Sequence, residues 1–339
     1  MTIRVGIVGA GYIGTIHAKA VDQQPCAELV AVVDVDEDRA RNFAEKHSIP
    51  KIFSSLKELL SGSDVDAVVI GTPNFLHAPQ TIAALKAGLH VLVEKPMALS
   101  VEEAIRMDRA SQGTSQTLMI GHCWRYDAEV NWLRERVAAK TLGNIIRTKG
   151  YGIHENWGPV GWFTEKDLSG GGALMDMGIH AIDTARYLLG DPEPVSVYAR
   201  IGTYYGNYDV DDTGLLIIRW KGGTVSYIES GWWQPYSDGP EAATQLFGVN
   251  GYGSVFPSRL ILPNSDKGQA EVVANGFVFP REEHCEQAMY DRQMSHFLSC
   301  ITNHSTPDSS AAKGVMNMKI LAAAYKSAER GTIVRFRKA

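Results

Sequence analysis

Cysteine is scarce in this sequence. Four cysteines occur among 339 residues, at Cys26, Cys123, Cys285 and Cys300, and no two of them are spaced as C-x-x-C. Cysteine zinc sites and disulfide frameworks are usually built from more closely spaced cysteines. The spacing therefore indicates neither kind of site, and it favours a reducing cytoplasm.

The sequence also lacks long apolar runs and an excess of basic residues. It has 33 Lys and Arg against 38 Asp and Glu, so the concentrated basic surface that nucleic-acid recognition needs is not indicated. Met1 and Thr2 lead directly into a strand-like run at 3–8, with no basic leader and no segment long enough to span a membrane. We expect a cytoplasmic protein with no nucleic-acid partner and no membrane contact.

A glycine motif is the first feature with a chemical meaning. The run at 3–8 leads into Gly9-Ala10-Gly11-Tyr12-Ile13-Gly14, a G-x-G-x-x-G sequence followed by a predicted helix over about 12–22. In such a motif the first glycine permits a tight turn, the second lets the backbone approach a pyrophosphate, and the third lets the helix pack on the strand. The amino terminus of the helix then attracts the anion. The motif predicts a dinucleotide site.

An acid at the end of the next strand supports this prediction. The predicted strand 29–33 ends at Asp34, whose carboxylate can accept hydrogen bonds from the adenosine ribose and would repel a 2′-phosphate, which favours NAD over NADP. Alternatively, Asp34 caps the predicted helix 37–46, a role for which Asp36 competes. Arg39 and Arg41 lie nearby in the sequence and could bind a 2′-phosphate, so NADP stays an alternative.

Strands and helices alternate as far as Gly121. Helices are predicted after capping-type sequences at Ser55 and Ser100 and over about 78–87, and buried strands are predicted at 66–70, 91–93 and 118–121. Such alternation implies right-handed crossovers and a doubly wound parallel sheet. We predict an α/β dinucleotide-binding domain over residues 1–121.

The pattern changes in residues 122–339. A helix at about 128–138 precedes β-rich segments at 144–153, 195–200, 214–220, 224–232 and on to about 275, and then come helices at about 283–302 and 309–329 and a strand at 332–336. Lys221-Gly222-Gly223 reads as a hairpin turn, which indicates antiparallel pairing. We predict a second, α+β domain over 122–339 with a large, mostly antiparallel sheet.

One predicted strand ends in an acid, a base and a proline. Val91-Leu92-Val93 reads as a buried parallel strand, and Glu94-Lys95-Pro96 follows at its carboxyl end, where ligands bind in open α/β sheets. The Lys95–Pro96 bond can be cis where a tight turn is needed. On these grounds Lys95 is either a functional group or a surface-loop charge.

A carboxylate and an imidazole follow a glycine run in the second domain. Residues 169–172 lead into an apolar periodic segment, predicted to be a helix, on which Asp176 and His180 are four residues apart and share a face. His180 can take the proton of a substrate hydroxyl, and a carboxylate can orient its ring. The structural alternative is a core histidine paired with Asp176 or Asp183. No further ligand with recognisable spacing is present in the sequence, so no metal is expected.

With these motifs in this order, the sequence resembles the Gfo/Idh/MocA family of oxidoreductases. The resemblance rests on the glycine turn, on Glu94-Lys95-Pro96 and on the segment 170–183, and it extends over essentially the whole chain. It implies that Lys95, Asp176 and His180 form the catalytic group of inositol dehydrogenase-like members. It also implies a Rossmann domain, a second domain whose open sheet mediates homodimers or homotetramers, and a sugar, polyol or cyclitol substrate.

The motifs and the resemblance together indicate two sets of binding residues. Those predicted to bind NAD are Gly9, Gly11, Tyr12, Ile13, Gly14, Asp34, Thr72, Pro73, Asn74, His77, Glu94 and Lys95. Those predicted to bind substrate are Lys95, Arg125, Tyr126, His154, Asn156, Trp157, Trp162, Asp176 and His180. Aromatic faces pack on sugar C–H surfaces, and Asn or Arg can read hydroxyls, although tryptophans also serve in cores and interfaces.

These features predict an NAD-dependent dehydrogenase that oxidises a secondary hydroxyl of a sugar, polyol or cyclitol. Lys95 would stabilise the developing alkoxide, and His180, aided by Asp176, would accept the hydroxyl proton. Two alternatives are a non-catalytic NAD-binding sensor that regulates a partner and an NAD-dependent glycosidase of the same family. A biliverdin- or dihydrodiol-type reductase matches only part of the pattern.

Overall fold

The computed structural model describes residues 2–62, 64–235, 241–263, 270–274 and 286–337. The chain divides into two compact units, one comprising Met1–Tyr126 and Glu286–Met318 and the other Asp127–Cys285 and Lys319–Ala339. The second unit therefore begins close to the predicted boundary after residue 121. Residues 286–318, which the sequence analysis assigned to the second domain, pack instead within the first unit.

Alternating strands and helices build the first unit as far as Tyr126. The strands are β1 (Ile3–Val8), β2 (Ala27–Val33), β3 (Lys51–Phe53), β4 (Ala67–Ile70), β5 (His90–Glu94) and β6 (Leu118–Gly121). The helices are α1 (Tyr12–Asp22), α2 (Glu37–His47), α3 (Leu56–Gly62), α4 (Asn74–Lys86) and α5 (Val101–Gln112), followed by a 3-10 helix (Cys123–Tyr126).

A parallel sheet forms the centre of this unit. Within the described residues its six strands run in the order β3-β2-β1-β4-β5-β6, and every pairing is parallel. Val91, Leu92 and Val93 are fully buried, as a parallel strand covered on both faces requires. The predicted doubly wound sheet is confirmed. The order reverses between β1 and β4, the position at which open α/β sheets bind ligands.

Local sequence signals explain where the helices of this unit begin. Ser100 caps α5 by accepting a hydrogen bond from the Glu103 amide at 3.1 Å, and the Glu103 carboxylate accepts one from the Leu99 amide at 3.2 Å, so the predicted cap is correct. The predicted start of the next helix upstream was wrong. Helix α4 begins at Asn74, directly after Pro73, rather than near residue 78, and it contains Pro79 in its interior.

The second unit contains helices and a larger sheet. Its described elements up to residue 274 are α6 (Ala128–Ala138), β7 (Ile145–Glu155), a 3-10 helix (Gly161–Thr164), α7 (Lys166–Ser169), a π-helix (Leu174–Gly178), α8 (Ile179–Leu188), β8 (Pro194–Gly202), β9 (Thr213–Trp220), β10 (Val225–Gln234), β11 (Ala242–Gly248), β12 (Gly251–Val255), β13 (Arg259–Pro263) and β14 (Ala270–Ala274). The carboxyl-terminal elements of the chain are α9 (Gln287–Asn303), α10 (Ala311–Arg330) and β15 (Val334–Arg335). The predicted start of a helix at 283 lies outside the described residues.

The large sheet is mostly antiparallel, as predicted. Its nine described strands run in the order β14-β13-β12-β11-β7-β10-β9-β8-β15. Strands β9 and β10 form the predicted antiparallel hairpin, whereas β10 and β7 pair in parallel. Side chains on β7 alternate, with Thr148, Gly150 and Gly152 buried beneath the π-helix and α8 and the intervening residues more exposed. One face of the sheet is therefore covered and the other is open.

Helix α9 packs against α1 in the first unit. The Gln287 side-chain amide donates a hydrogen bond to the Ile16 carbonyl at 3.0 Å, and the Gln24 amide donates one to the Asp291 carbonyl at 3.2 Å. These contacts join segments more than 260 residues apart, which explains why local sequence patterns assigned α9 to the wrong unit. Among the described helices, none is both long and apolar enough to cross a membrane.

Candidate functional site

The glycine turn between β1 and α1 is shaped as predicted for a phosphate-binding loop. Gly9 has a φ of +103°, and a Cβ atom there would lie 2.7 Å from the Gly71 carbonyl oxygen, so a side chain would not fit. At Gly11, the residue before α1, a Cβ atom would meet nothing within 4 Å. The backbone at the start of α1 is therefore open to a ligand, which fits a bound pyrophosphate.

Asp34 lies at the end of β2 with its side chain turned towards this loop. Its Oδ2 atom accepts a hydrogen bond from the Ala10 amide at 2.8 Å. Asp36, not Asp34, caps α2 by accepting a hydrogen bond from the Arg39 amide. Burial raises the pKa of Asp34, but hydrogen bonds from Arg39 and from the amides of Asp36 and Ala10 outweigh it and hold the pKa below its usual value. Asp34 is thus an ionised acceptor beside the loop.

His77 connects the ends of two neighbouring strands of the first sheet. Its Nδ1 atom lies 2.8 Å from the Pro96 carbonyl oxygen after β5, and its Nε2 atom lies 2.8 Å from the Thr72 carbonyl oxygen after β4. Burial lowers the pKa of His77, although both carbonyls favour the protonated ring. The Thr72 hydroxyl donates to the Gln80 side chain at 2.7 Å, and Pro73 precedes α4. The segment 72–77 is therefore a braced turn.

Glu94 is held inside the first unit by a residue that sequence reasoning missed. The His17 Nε2 atom lies 2.7 Å from Glu94 Oε1, and the Lys95 amide donates to Glu94 Oε2 at 3.1 Å. Burial raises the pKa of Glu94, but His17 and Lys95 outweigh it and the net pKa is lowered. The Lys95–Pro96 peptide bond is cis. The backbone that carries Lys95 is thus fixed by Glu94 and by His77.

Arg125 and Tyr126, two predicted substrate residues, are buried in the first unit. The Arg125 guanidinium donates to the Asp308 carbonyl at 3.1 Å, and the Tyr126 hydroxyl lies 3.0 Å from Ser309 Oγ. Burial raises the pKa of Tyr126. These contacts give both side chains a structural partner.

A buried carboxylate organises the glycine run of the second unit. Asp211 accepts hydrogen bonds from the amides of Gly172 at 2.9 Å and Leu174 at 2.8 Å, and from the Tyr325 hydroxyl at 2.7 Å. Burial raises its pKa despite these donors. A Cβ atom at Gly172 would lie 1.8 Å from the Asp211 carbonyl oxygen. The glycine therefore allows the chain to pass against Asp211 and enter the helix that follows.

The segment with Asp176 and His180 differs from the single helix that was predicted. Asp176 lies in the π-helix Leu174–Gly178, and His180 is the second residue of α8. A π-helix has more residues per turn than an α-helix, and such turns are frequent at functional sites. The prediction that Asp176 and His180 share one face of a single α-helix was therefore wrong, because Asp176 lies in a π-helix. His180 and Asp183 are both buried.

Two side chains contact Asp176 directly, and two more contact one of those. Trp232 at the end of β10 donates its indole N–H to Asp176 Oδ2 at 3.1 Å, and His154 Nε2 on β7 lies 3.8 Å from the same oxygen. On its other side, His154 Nδ1 lies 3.4 Å from Glu241 Oε2. The Trp157 indole N–H also donates to Glu241, and its ring lies against His154 with centroids 3.6 Å apart. We call these five residues the Asp176 cluster.

The cluster contains only some of the predicted substrate residues. His154 and Trp157 belong to it. Asn156 is exposed, and Trp162 stacks on Phe163 with ring centroids 3.9 Å apart. Glu241 and Trp232 were missed, because nothing in the local sequence relates them to a residue more than 50 positions away. In the part of the chain that the structure describes, no group of three or more His, Cys, Asp or Glu side chains could hold a metal ion.

Two family models match the chain. The model described as "Oxidoreductase family, NAD-binding Rossmann fold" matches residues 3–122, and the model described as "GFO/IDH/MocA C-terminal domain" matches residues 130–252. The two matches cover most of the chain and follow the order of the two structural units.

Curated relatives match over nearly their full length. D-glucoside 3-dehydrogenase of Escherichia coli (strain K12) is 29% identical, with 98% of this chain and 97% of that protein aligned. The scyllo-inositol 2-dehydrogenase (NAD(+)) of Bacillus subtilis (strain 168) is also 29% identical, with 98% and 96% aligned. A solved structure of levoglucosan dehydrogenase in complex with NADH superposes with a TM-score of 0.90 at 23% identity and covers 100% of both chains, which shows that the fold is shared.

Proposed function

Because the chain belongs to the Gfo/Idh/MocA family of oxidoreductases and has its NAD-binding Rossmann domain, we propose that it is an NAD-dependent dehydrogenase of a secondary hydroxyl on a sugar, polyol or cyclitol. The observation that carries the proposal is the Asp176 cluster. It holds a carboxylate between an indole N–H and an imidazole, in the π-helix directly before His180. The names of relatives that act on glucosides and inositols support this substrate class.

The proposed reaction removes the proton of a hydroxyl group and a hydride from the carbon that carries it, and it leaves a ketone. Bound NAD supplies the hydride acceptor. His180 takes the hydroxyl proton, and the Asp176 carboxylate orients and stabilises the protonated ring. Lys95 places positive charge beside the oxygen as negative charge develops there. In the reverse direction the same groups return the proton to the oxygen.

We propose that the glycine turn binds the pyrophosphate of the cofactor, and the open backbone at Gly11 supports this. The other residues of the turn that we propose to contact the cofactor are Gly9, Tyr12, Ile13 and Gly14. We propose that Asp34 takes the adenosine ribose, with NAD preferred. The segment Thr72, Pro73, Asn74 and His77, together with Glu94 and Lys95, then borders the rest of the cofactor.

Among the predicted substrate residues, His154 and Trp157 have the strongest support. Both belong to the Asp176 cluster, and the half-exposed Trp157 ring offers an aromatic face of the kind that packs on sugar C–H surfaces. The exposed Asn156 and the stacked Trp162 could contribute only at the edge of the site. Arg125 and Tyr126, which are buried against their own partners, have less support as direct ligands.

We propose that copies of the chain associate through the open face of the large sheet. The strand register places Tyr198, Ile217 and Tyr227 side by side on that face, with Leu215 in the next row. Exposed contiguous apolar surface of this kind marks association sites.

We also propose that the protein is cytoplasmic, and the free thiols of Cys26, Cys123 and Cys300 support this location.

The decisive experiment is an absorbance assay for NADH. The purified protein is incubated with NAD and a panel of inositols, aldoses and anhydrosugars at about pH 9, well above the ordinary histidine pKa. We expect turnover of at least one polyol. The variants Lys95→Met and His180→Asn should reduce kcat/KM by roughly 10²-fold or more, since each removes a group that acts in the transition state.

The matched control is Lys86→Met, an exposed lysine of α4, which should behave like the unmodified protein. Absence of NADH across the whole panel would refute the dehydrogenase. Release of an aglycone without net NADH would identify the glycosidase instead. Tight NAD binding without turnover, together with specific capture of a regulator, would identify the sensor.

A further inference from the structure

The carboxylate of Asp34 is fully occupied by hydrogen bonds from within the protein. Oδ2 accepts from the Ala10 amide at 2.8 Å and from Arg39 Nε at 3.1 Å. Oδ1 accepts from the Asp36 amide at 3.0 Å and from Arg39 Nη2 at 2.8 Å. A carboxylate offers about four acceptor positions. The residue expected to receive two ribose hydroxyls therefore has no unused position.

The four donors differ in how easily they can move away from the Asp34 carboxylate. The Ala10 and Asp36 amides are part of the backbone that forms the glycine turn and the start of α2. Arg39 supplies the other two hydrogen bonds through a long side chain that is 48% exposed, whereas the Asp34 side chain is only 8% exposed. When a ribose diol binds Asp34, the arginine fork is the partner that must open.

An opened Arg39 stays beside the ribose. Arg39 is the third residue of α2, and its guanidinium bonds the same carboxylate that the ribose hydroxyls would take, so it can turn to a group attached at the 2′ position. A planar guanidinium with several donors suits a phosphate. Val35, the residue after Asp34, is exposed and apolar and offers no such charge.

We propose that Arg39 is a specificity-determining residue that admits NADP as well as NAD by moving from Asp34 to the 2′-phosphate. Asp34 by itself repels that phosphate, and Arg39 offsets the repulsion. The acidic residues Asp36, Glu37 and Asp38 in and before the first turn of α2 keep NAD the preferred form. The proposal deepens the assignment of the cofactor site and does not depend on which sugar is oxidised.

Arg41 provides a matched control two residues along the same helix. It has the same charge, is 58% exposed, and pairs with Asp38 at 3.0 Å rather than with Asp34. If only the positive charge near the cofactor matters, replacing either arginine should weaken NADPH binding to the same extent. If the fork on Asp34 matters, only replacement of Arg39 should weaken it.

The test is to measure Kd values for NADH and NADPH by nicotinamide fluorescence, without any substrate. We expect the unmodified protein to bind both, with NADPH weaker by about tenfold or less. Arg39→Met should raise the Kd for NADPH by at least about tenfold, the usual effect of losing one charge-assisted hydrogen bond, and should leave the Kd for NADH unchanged or lower. The Kd of Arg39→Lys for NADPH should lie between those of the unmodified protein and Arg39→Met. Arg41→Met should have the Kd values of the unmodified protein.

A second pair of variants tests the same idea if Arg39→Met folds poorly. Asp34→Ser should favour NADPH when Arg39 is present, and that preference should be smaller in the Asp34→Ser/Arg39→Lys protein, whose charge remains but whose fork is gone. Equal effects of Arg39→Met on both cofactors, an Arg41→Met effect of the same size, or no measurable NADPH binding by the unmodified protein would each overturn the proposal. Because the assay measures binding alone, failure of the dehydrogenase reaction would not produce any of these results.

Discussion

The sequence around Glu241 gives no sign of the contacts that this residue makes. Its carboxylate accepts hydrogen bonds from the Glu155 amide at 3.1 Å and from the Trp157 indole, and it lies 3.4 Å from His154 Nδ1. His154 is thus held between Glu241 and Asp176, whose oxygen lies 3.8 Å from Nε2. We infer that Glu241 positions the imidazole and keeps a proton on Nδ1.

Replacing Glu241 tests this positioning role. Glu241→Ala should shift the ¹⁵N resonance of His154 Nδ1 away from its protonated position and lower kcat/KM by roughly tenfold, the effect of one lost hydrogen bond to a charged group. Glu241→Gln keeps an acceptor oxygen, so its His154 Nδ1 resonance and its kcat/KM should both lie close to those of the unmodified protein. The measurements are histidine ¹⁵N NMR spectra and steady-state kinetics.

Glu155→Gln is the matched control, because it removes the same charge one residue from His154 while its side chain points to the other side of β7. An unchanged Nδ1 resonance in Glu241→Ala would contradict the role of Glu241. So would a Glu155→Gln protein with the same spectrum as Glu241→Ala.

The π-helix and the glycine run before it act as one element. Asp211 binds the amides of Gly172 and Leu174, and Tyr325 on α10 donates its hydroxyl to the same carboxylate. The hydroxyl lies in a buried position, and burial and the neighbouring carboxylate raise its pKa well above the ordinary value. Tyr325 therefore keeps its proton at neutral pH, and its hydroxyl and the two backbone amides anchor the start of the π-helix through Asp211.

Gly172→Ala should destabilise the protein strongly. Its Cβ atom would lie 1.8 Å from the Asp211 carbonyl oxygen, so the backbone must move, and we expect a loss of about 2–4 kcal/mol in the free energy of unfolding. Tyr325→Phe should cost about 1–3 kcal/mol, because it removes one donor from a buried carboxylate. Urea unfolding followed by circular dichroism measures both.

Gly113→Ala is the control for this pair. Its nearest neighbours would lie at an ordinary contact distance of 3.5 Å, and its backbone is not in the left-handed region. We expect a change within about 0.5 kcal/mol. A Gly172→Ala protein as stable as Gly113→Ala would show that the turn can relax around the methyl group.

At the scale of the whole molecule, the open sheet face predicts self-association. Ile217 is 40% exposed at the centre of the row with Tyr198 and Tyr227. Ile217→Arg would bury a charge in an interface on that face, so it should convert an oligomer into monomers. Size-exclusion chromatography with light scattering at several protein concentrations gives the mass directly.

Ile146→Arg is the matched control for the same change. Ile146 is 57% exposed and lies three positions before Lys149, the β7 residue in register with Tyr227, so it is outside the row and its substitution should leave the mass unchanged. A monomeric unmodified protein, or an Ile217→Arg protein that keeps the oligomer mass, would contradict association through this face.

The parts that could be predicted are those that depend on neighbours in the sequence. The glycine turn and Asp34 at a strand end follow from steric rules over a few residues, and the alternation of strands and helices follows from hydrophobic periodicity. The structure confirms each of these features. The family resemblance followed from their order.

The parts that could not be predicted depend on contacts between distant segments. Tyr325 meets Asp211 across 114 positions and His17 meets Glu94 across 77, and no local pattern pairs such residues. A π-helix takes the place of the expected α-helical turn at Asp176, and it packs directly on β7 and β10, strands that are distant from it in the sequence.

The sequence by itself determined the fold class, the cofactor motif and the identity of the chemical groups, since all three follow from local sterics and periodicity. Only the tertiary structure decided which partners those groups have. It assigned α9 to the first unit, occupied Asp34 with Arg39, and enclosed His154 between two carboxylates. The physical reason is that hydrogen bonding and burial depend on distance in space, and folding brings together side chains that the chain keeps far apart.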